Sequence, residues 1–311
     1  MAKLGYLLPT RERIMAGKHE TGPILALAER AEDLGFDSLW IGDSLLARPR
    51  HEPLTLLAAV AARTTKAELG TAVLLPALRN PVILAHMAAT VDQVSEGRLI
   101  LGVGIATDVP NVRAEFEAAG VPFEKRVGRM MEGMRLCRRL WTGEPAQWEG
   151  RWTVEGDALA PRPFRDSGIP IWSAAGAPAG LKRTAKEFEG WFPIGPDAAT
   201  LAKRWEAVRA HAAEAGRNPD SITFAVYLTM TIDEDADAAD RRMTDYMATY
   251  YKVPGENMRR IQANFAGPAA AAAEWLQGFA DAGASHIVLR FAGDHEKHQD
   301  AIARIREQLG W

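Results

Sequence analysis

The residues that could do chemistry gather at a few junctions of the chain. Asp43 and Ser44 close an apolar run, where a carboxylate and a hydroxyl could orient a substrate or accept a proton. They could equally cap a turn. Arg48-Pro49-Arg50-His51 follow on the same stretch, a short basic cluster able to meet an anionic substrate, or else a solvated loop. From Ser173 to Gly180 an apolar run passes through Ala175-Gly176-Ala177-Pro178 into a helical pattern. Free N–H groups and a helix dipole at such a junction would hold a phosphate; the same small residues would also make a plain tight turn.

Other combinations fit less well. Leu101-Gly102-Val103-Gly104 supplies two glycines, but Thr107 stands where the dinucleotide fingerprint needs its third. A tight strand end is the better reading there, and no nicotinamide fingerprint follows. Asp294, His295, Glu296 and His298 are metal-ligand types without the spacing of a known site, so no metal is expected. Cys137 lies among Met134, Leu136 and Leu140 on one helical face, the setting of a buried structural thiol. Neither a GxSxG elbow nor a P-loop occurs.

These junctions need elements to position them, and apolar runs of strand length alternate with helical periods almost to the C-terminus. Strands are expected at Lys3 to Leu8, Asp37 to Ile41, Ala67 to Leu74, Leu99 to Val103, Ile169 to Ala174, Gly190 to Ile194, Ile222 to Thr231 and His286 to Phe291. Helical patterns fill the gaps: Ile24 to Leu34, Leu54 to Arg63, Val82 to Ser95, Arg126 to Trp141, Ala179 to Phe188, Ala198 to Ala215, Ala236 to Tyr251, Ala269 to Ala282 and Glu296 to Leu309. Continuous apolar strands suit a parallel sheet covered by helices, and their number suits a (β/α)8 TIM barrel; a doubly wound open sheet has the same local pattern. In either fold, ligands bind at the carboxyl ends of the strands, where Asp43, Ser44, Thr107 and Ala175 to Ala177 fall. The rhythm breaks at Thr142 to Gly168, a Gly- and Pro-rich stretch read as an inserted hairpin. A second irregular patch, Lys252 to Gly267, reads as a loop or lid. The whole chain, 1–311, reads as one barrel domain.

Composition narrows the partners. With 40 acidic against 37 basic residues and a net charge of −3, no long-range field recruits nucleic acid or an anionic membrane. A small-molecule partner is expected. The single cysteine excludes an internal disulfide, and no apolar run reaches the roughly 20 residues of a membrane span. A cytoplasmic protein is expected.

The segments DSLWIGD (Asp37 to Asp43) and EPLTLLAAVAARTTKAELGTAVLLPALRNPVILAHMAATVDQVSEGRLILGVG (Glu52 to Gly104) resemble the bacterial-luciferase-like flavin monooxygenases and their deazaflavin F420-dependent relatives. Arg126 to Trp141, Trp148 to Arg151, Pro161-Arg162-Pro163, Pro170 to Gly176 and Glu189 to Phe192 continue the likeness in the family's order. The resemblance implies a (β/α)8 barrel with insertions, usually a homodimer, binding reduced FMN or F420 at the strand ends. It places the cofactor ring against Thr71, Ala72 and Val73, with a non-proline cis bond assigned to Ala72–Val73. It places the cofactor phosphate at Ala175, Gly176 and Ala177, and Thr107 facing ring or substrate. Family members acting on sugar phosphates carry a His base and a Glu acid where Ser44 and Thr107 align, which puts that sugar chemistry in doubt.

The resulting reading assigns Asp43, Ser44 and Thr107 to catalysis and Arg48 and Arg50 to substrate. The favoured activity is a monooxygenase using reduced FMN and O2 on a small organic substrate, supplied by a separate flavin reductase. F420-dependent hydride transfer is one alternative, and a non-catalytic flavin-binding protein is another.

Overall fold

Successive side chains of a strand point to opposite faces, so a short apolar strand can serve a barrel interior and a helical coat together. The computed structural model, which describes residues 1–311, uses this device throughout. In chain order the strands are β1 (Lys3–Leu7), β2 (Ser38–Ile41), β3 (Glu68–Thr71), β4 (Leu99–Val103), β5 (Ala146–Trp148), β6 (Val154–Gly156), β7 (Ile171–Ser173), β8 (Gly190–Trp191), β9 (Thr223–Ile232), β10 (Asn264–Gly267) and β11 (His286–Phe291). The first helices are α1 (Thr10–Met15), α2 (Gly22–Asp33), α3 (Pro53–Ala61), α4 (Pro81–Val94), α5 (Pro110–Ala118) and α6 (Arg126–Leu140). The remainder are α7 (Pro178–Glu187), α8 (Ala198–Glu214), α9 (Ala236–Tyr251), α10 (Gly255–Ile261), α11 (Ala269–Asp281) and α12 (His295–Leu309).

Parallel pairing runs β1, β2, β3, β4, β7, β8, β9, β11 and back to β1, which closes an eight-stranded (β/α)8 TIM barrel. The open-sheet alternative is excluded. Leu39 and Ile41 of β2 join the layer between barrel and helices, while Ser38 and Trp40 point inward. The interior also holds Trp172, Phe192, Tyr227 and Val288. Two indoles fit there because Gly70 faces Trp40, where a Cβ would approach a ring carbon to 2.2 Å. At the amino end of the barrel His286 bonds Ser38 Oγ at 2.6 Å, and burial depresses its pKa to about 3.

The 10-residue β9 is long enough to meet two strands on one side. Its first residues pair with β8, and Thr229 to Ile232 pair with β10. The patch Lys252 to Gly267 is therefore not wholly irregular: it contains α10 and a strand that extends the carboxyl rim of the barrel. Helices α1 and α5 were also absent from the pattern-based reading, each being short. The insertion between α6 and β7 is the expected hairpin, β5 pairing antiparallel with β6. No helix is long and apolar enough to cross a membrane.

Candidate active site

At the carboxyl end of the barrel a cavity of about 170 Å³ opens between the loops after β2, β3 and β4 and the ends of β9, α9 and β11. Ala72 and Val73 form one wall, with Ala106, Thr107 and Ile194 beside them. The Ala72–Val73 peptide is cis, as assigned from the family likeness. Thr71 lies behind this wall: its buried hydroxyl donates to the Gly102 carbonyl at 2.8 Å, so its side chain anchors β3 to β4 and does not line the cavity.

Asp43 and Ser44 both reach the cavity, but their surroundings differ sharply. The Asp43 carboxylate is 1% exposed, is gripped by both terminal nitrogens of Arg79 and accepts the Leu75 N–H. Burial disfavours the Arg79 charge, yet Asp43 more than compensates and holds the guanidinium pKa above its ordinary value. Asp43 is thus an anchor between β2 and the loop after β3, with both carboxylate oxygens bonded inside the protein. Ser44 Oγ donates to Glu115 Oε2 at 2.7 Å and accepts the Arg48 N–H at 2.9 Å. The same Glu115 oxygen receives the N–H groups of Leu46 at 2.6 Å and Ala47 at 2.8 Å. Glu115 therefore shapes the whole Ser44 to Arg48 turn from α5.

The opposite wall is cationic and aromatic. Arg50 lies across Gly42, where a Cβ would come within 1.9 Å of its Nη1, and its Nε donates to the Arg48 carbonyl at 3.2 Å. The Arg48 guanidinium stacks on Tyr251, 5.1 Å from the ring centroid. Arg290, 1% exposed, rises from β11 into a cage of Tyr227, Tyr246, Tyr250 and Tyr251, with centroid distances of 4.3 to 5.3 Å. It donates to Thr229 Oγ1, Tyr251 Oη and Gln262 Oε1 and has no carboxylate partner. Burial raises the Tyr227 and Tyr246 pKa values, so both rings are neutral at neutral pH. Gln262 is fully buried, lines the cavity and leaves its Nε2 without an acceptor.

Two strands away, past β4, lies the junction after β7. Ala175, Gly176 and Ala177 make no hydrogen bond through their backbone N–H groups, and α7 begins at Pro178 without a side-chain cap. Trp191 Nε1 donates to the Ala175 carbonyl at 2.7 Å and turns that peptide. Gly176 is exposed, and a Cβ there would meet only Arg204 Nη1, at 3.9 Å. These residues do not line the cavity itself. Two strand spacings, about 10 Å, separate the Ala72 wall from this junction, a span that a tricyclic ring with a phosphate-bearing side chain can cover. The free amides, the helix terminus and Arg204 suit such a phosphate, so the residues present fit a cofactor of this class.

Asp43, Ser44, Thr107, Ala72, Val73, Arg48 and Arg50, all expected at the site from the sequence, line one cavity. Glu115, Gln262, Arg290 and the tyrosines were not expected there. Arg290 alone had a legible signal, a charge between Leu289 and Phe291 in a strand that is otherwise apolar after His286. The other candidates have structural roles. His295 bonds Tyr6 Oη at 2.8 Å, His298 Nε2 accepts the Ile232 N–H at 3.0 Å, and Asp294 caps α12. Cys137 is buried, with its thiol pKa pushed up to about 12.

Known proteins resemble the chain over its full length. The family model described as luciferase-like monooxygenase matches residues 2–311. An F420-dependent glucose-6-phosphate dehydrogenase of Mycolicibacterium gilvum (strain PYR-GCK) is 32% identical over 76% of this chain and 71% of its own. That of Rhodococcus erythropolis (strain PR4 / NBRC 100887) is 28% identical over 98% of each chain. Among solved structures, an F420-dependent secondary alcohol dehydrogenase superposes with a TM-score of 0.84 at 20% identity, covering 99% of both chains. A monooxygenase from Streptomyces bottropensis superposes with a TM-score of 0.83 at 23% identity, covering 98% of both.

Proposed function

The chain belongs to the luciferase-like monooxygenase family and is an oxidoreductase, and within that family we propose that it transfers hydride between the deazaflavin F420 and a small anionic substrate. The observation that carries this reading is the 32% identity, over 76% of the chain, to a dehydrogenase named for F420. Solved monooxygenase structures such as that from Streptomyces bottropensis match at lower identity, 23%, and share the fold. The F420 alternative therefore displaces the reduced-FMN monooxygenase that the sequence reading favoured. The separate flavin reductase has no place in it.

F420, when bound, supplies a carbon centre for two-electron hydride chemistry in place of the nitrogen that peroxide chemistry needs. The chain's own residues supply position and field. The Ala72–Val73 wall, with Ala106 and Thr107 beside it, offers a ring a face of small residues to lie against. The Ala175 to Ala177 amides, the α7 dipole and Arg204 attract the phosphate. Arg50, Arg48 and the free Gln262 amide give the substrate end of the cavity donors and positive charge, and neither arginine makes a direct ion pair with a carboxylate. A carboxylate or phosphate on the substrate supplies the missing charge.

Ser44 and Thr107 stand where the sugar-phosphate enzymes carry His and Glu, so the substrate of the relatives does not carry over with the cofactor. The test is titration of the purified protein with F420, and separately with reduced FMN, followed by fluorescence. Saturation by F420 at one equivalent is expected. Saturation by reduced FMN with substrate-dependent O2 uptake, and no response to F420, would overturn the proposal.

A further inference from the structure

We propose that Ser44 receives the hydroxyl proton of a carbinol substrate while passing its own proton to Glu115, which makes this pair the route by which the site oxidises an alcohol. The inference rests on the hydride-transfer reading and names the kind of carbon from which hydride leaves. Asp43 and Glu115 are the two carboxylates that line the cavity. Asp43 is closed off by Arg79 and the Leu75 amide. Glu115 is 1% exposed, with Oε2 accepting the Ser44 hydroxyl and two backbone amides while its buried Oε1 has no partner. A carboxylate held in this way keeps unused acceptor capacity beside the substrate space.

Ser44 is 8% exposed and connects that carboxylate to the cavity. Its one proton points to Glu115 at 2.7 Å, and one of its two acceptor positions takes the Arg48 N–H at 2.9 Å. What remains is a single acceptor position, which selects a ligand that donates. A substrate hydroxyl meets that requirement and a carbonyl does not. In the forward step the carbinol C–H bond breaks and its electron pair leaves as hydride to the deazaflavin. The substrate O–H proton moves to Ser44 Oγ, the Ser44 proton moves to Glu115 Oε2, and the carbon–oxygen double bond forms. Two electrons and one proton go to the cofactor as hydride, and the second proton rests on Glu115. Reduction of a ketone runs the same path backwards. Glu115 acts through Ser44 and positions it.

Three variants test the pair. In Glu115→Gln the amide oxygen can keep the three donors now on Oε2 and the amide nitrogen can take the vacant side, so the turn is preserved and proton acceptance is lost. Ser44→Ala removes the connection, and Ser44→Thr keeps a hydroxyl. With F420 and a panel of lactate, 3-hydroxybutyrate and glycerol 3-phosphate, Glu115→Gln and Ser44→Ala are expected to reduce F420 roughly 10²-fold more slowly, with Ser44→Thr recovering most of the rate. F420 affinity, read by fluorescence, should stay within about 2-fold of wild type, because the phosphate junction is untouched. A readout independent of rate is the infrared difference spectrum on adding the alcohol: wild type should lose a carboxylate band and gain a carboxylic acid band, both absent in Glu115→Gln. F420 binding with near-wild-type rates in both disabled variants, or without F420 reduction by any alcohol of the panel, overturns the pair and leaves the cofactor reading standing. Failure of wild type to bind F420 overturns both.

Discussion

Replacing Gly176 with Asp puts a carboxylate at the proposed position of the cofactor phosphate, and the size of the effect follows from the local geometry. Gly176 does not have a left-handed backbone, is exposed, and has only Arg204 Nη1 within 4 Å of a new Cβ, so the substitution should not disturb folding. A carboxylate one bond beyond that Cβ would lie roughly 5 Å from a phosphate held by the Ala175 to Ala177 amides. Coulomb's law gives about 0.8 kcal/mol of repulsion per charge pair at the dielectric of water and about 3 kcal/mol at the effective value of 20 found near protein surfaces. The new carboxylate would also draw Arg204 away from the ligand. Affinity for F420 should therefore fall roughly 4- to 150-fold, with the loss shrinking as salt is raised. Gly176→Ala is the steric control and should bind almost as wild type does. Fluorescence titration at low and high salt measures all of this. Unchanged affinity in Gly176→Asp refutes the placement, and an equal loss in Gly176→Ala shows that space, not charge, governs the junction.

Two further outcomes follow from buried charge. His286 stays neutral in the folded barrel down to about pH 3, because burial opposes its protonation and the Lys3 charge adds to the effect. The unfolded chain takes up that proton near pH 6.5, so stability falls as pH drops below this value, by about 2 kcal/mol between pH 7 and 5 from this residue. Urea unfolding at the two pH values should show His286→Gln losing about that much less than wild type, and an equal loss in both would disprove the assignment. Asp43→Asn leaves the Arg79 guanidinium with Glu52 as its remaining ion-pair partner and should cost about 2–4 kcal/mol, read as a lower urea midpoint. A wild-type midpoint combined with lost turnover would return Asp43 to the chemistry.

What could be read from the chain was what repeats along it. Alternation of apolar runs located all eight barrel strands, although Ala67 to Leu74 was read too long because the chain leaves regular pairing after Thr71. The unbonded amides of Ala175 to Ala177 fall where the sequence has small residues between strand and helix, a feature that local composition alone can show. Polar groups that meet from distant elements leave no such trace. Glu115 reaches Ser44 across 71 positions, and Arg290 reaches Gln262 across 28. Gln262 lay in a patch without periodicity, where a four-residue strand forms only because β9 outruns β8 and offers it an edge. The choice between FMN and F420 was not legible because both would meet the same wall and the same amides.

The charge arrangement explains why neighbouring residues at the mouth have such different duties. Each carboxylate near the cavity draws its donors from inside the protein: Asp43 from Arg79, Glu115 through Oε2 from Ser44 and two amides, Glu12 from the Tyr246 hydroxyl. The cations are instead satisfied by neutral groups, the Tyr cage and Gln262 around Arg290, a carbonyl for Arg50 and a ring face for Arg48. Tyrosine rings can hold a desolvated guanidinium for roughly 0.5–2 kcal/mol each while leaving its field intact. A carboxylate in their place would have held Arg290 more firmly and cancelled the potential that an anion needs. On the proposed reading the tyrosines keep the substrate end of the cavity positive and Ser44 turns a lone pair toward the same space, so that a ligand which is both anionic and hydroxylated would satisfy the two ends at once.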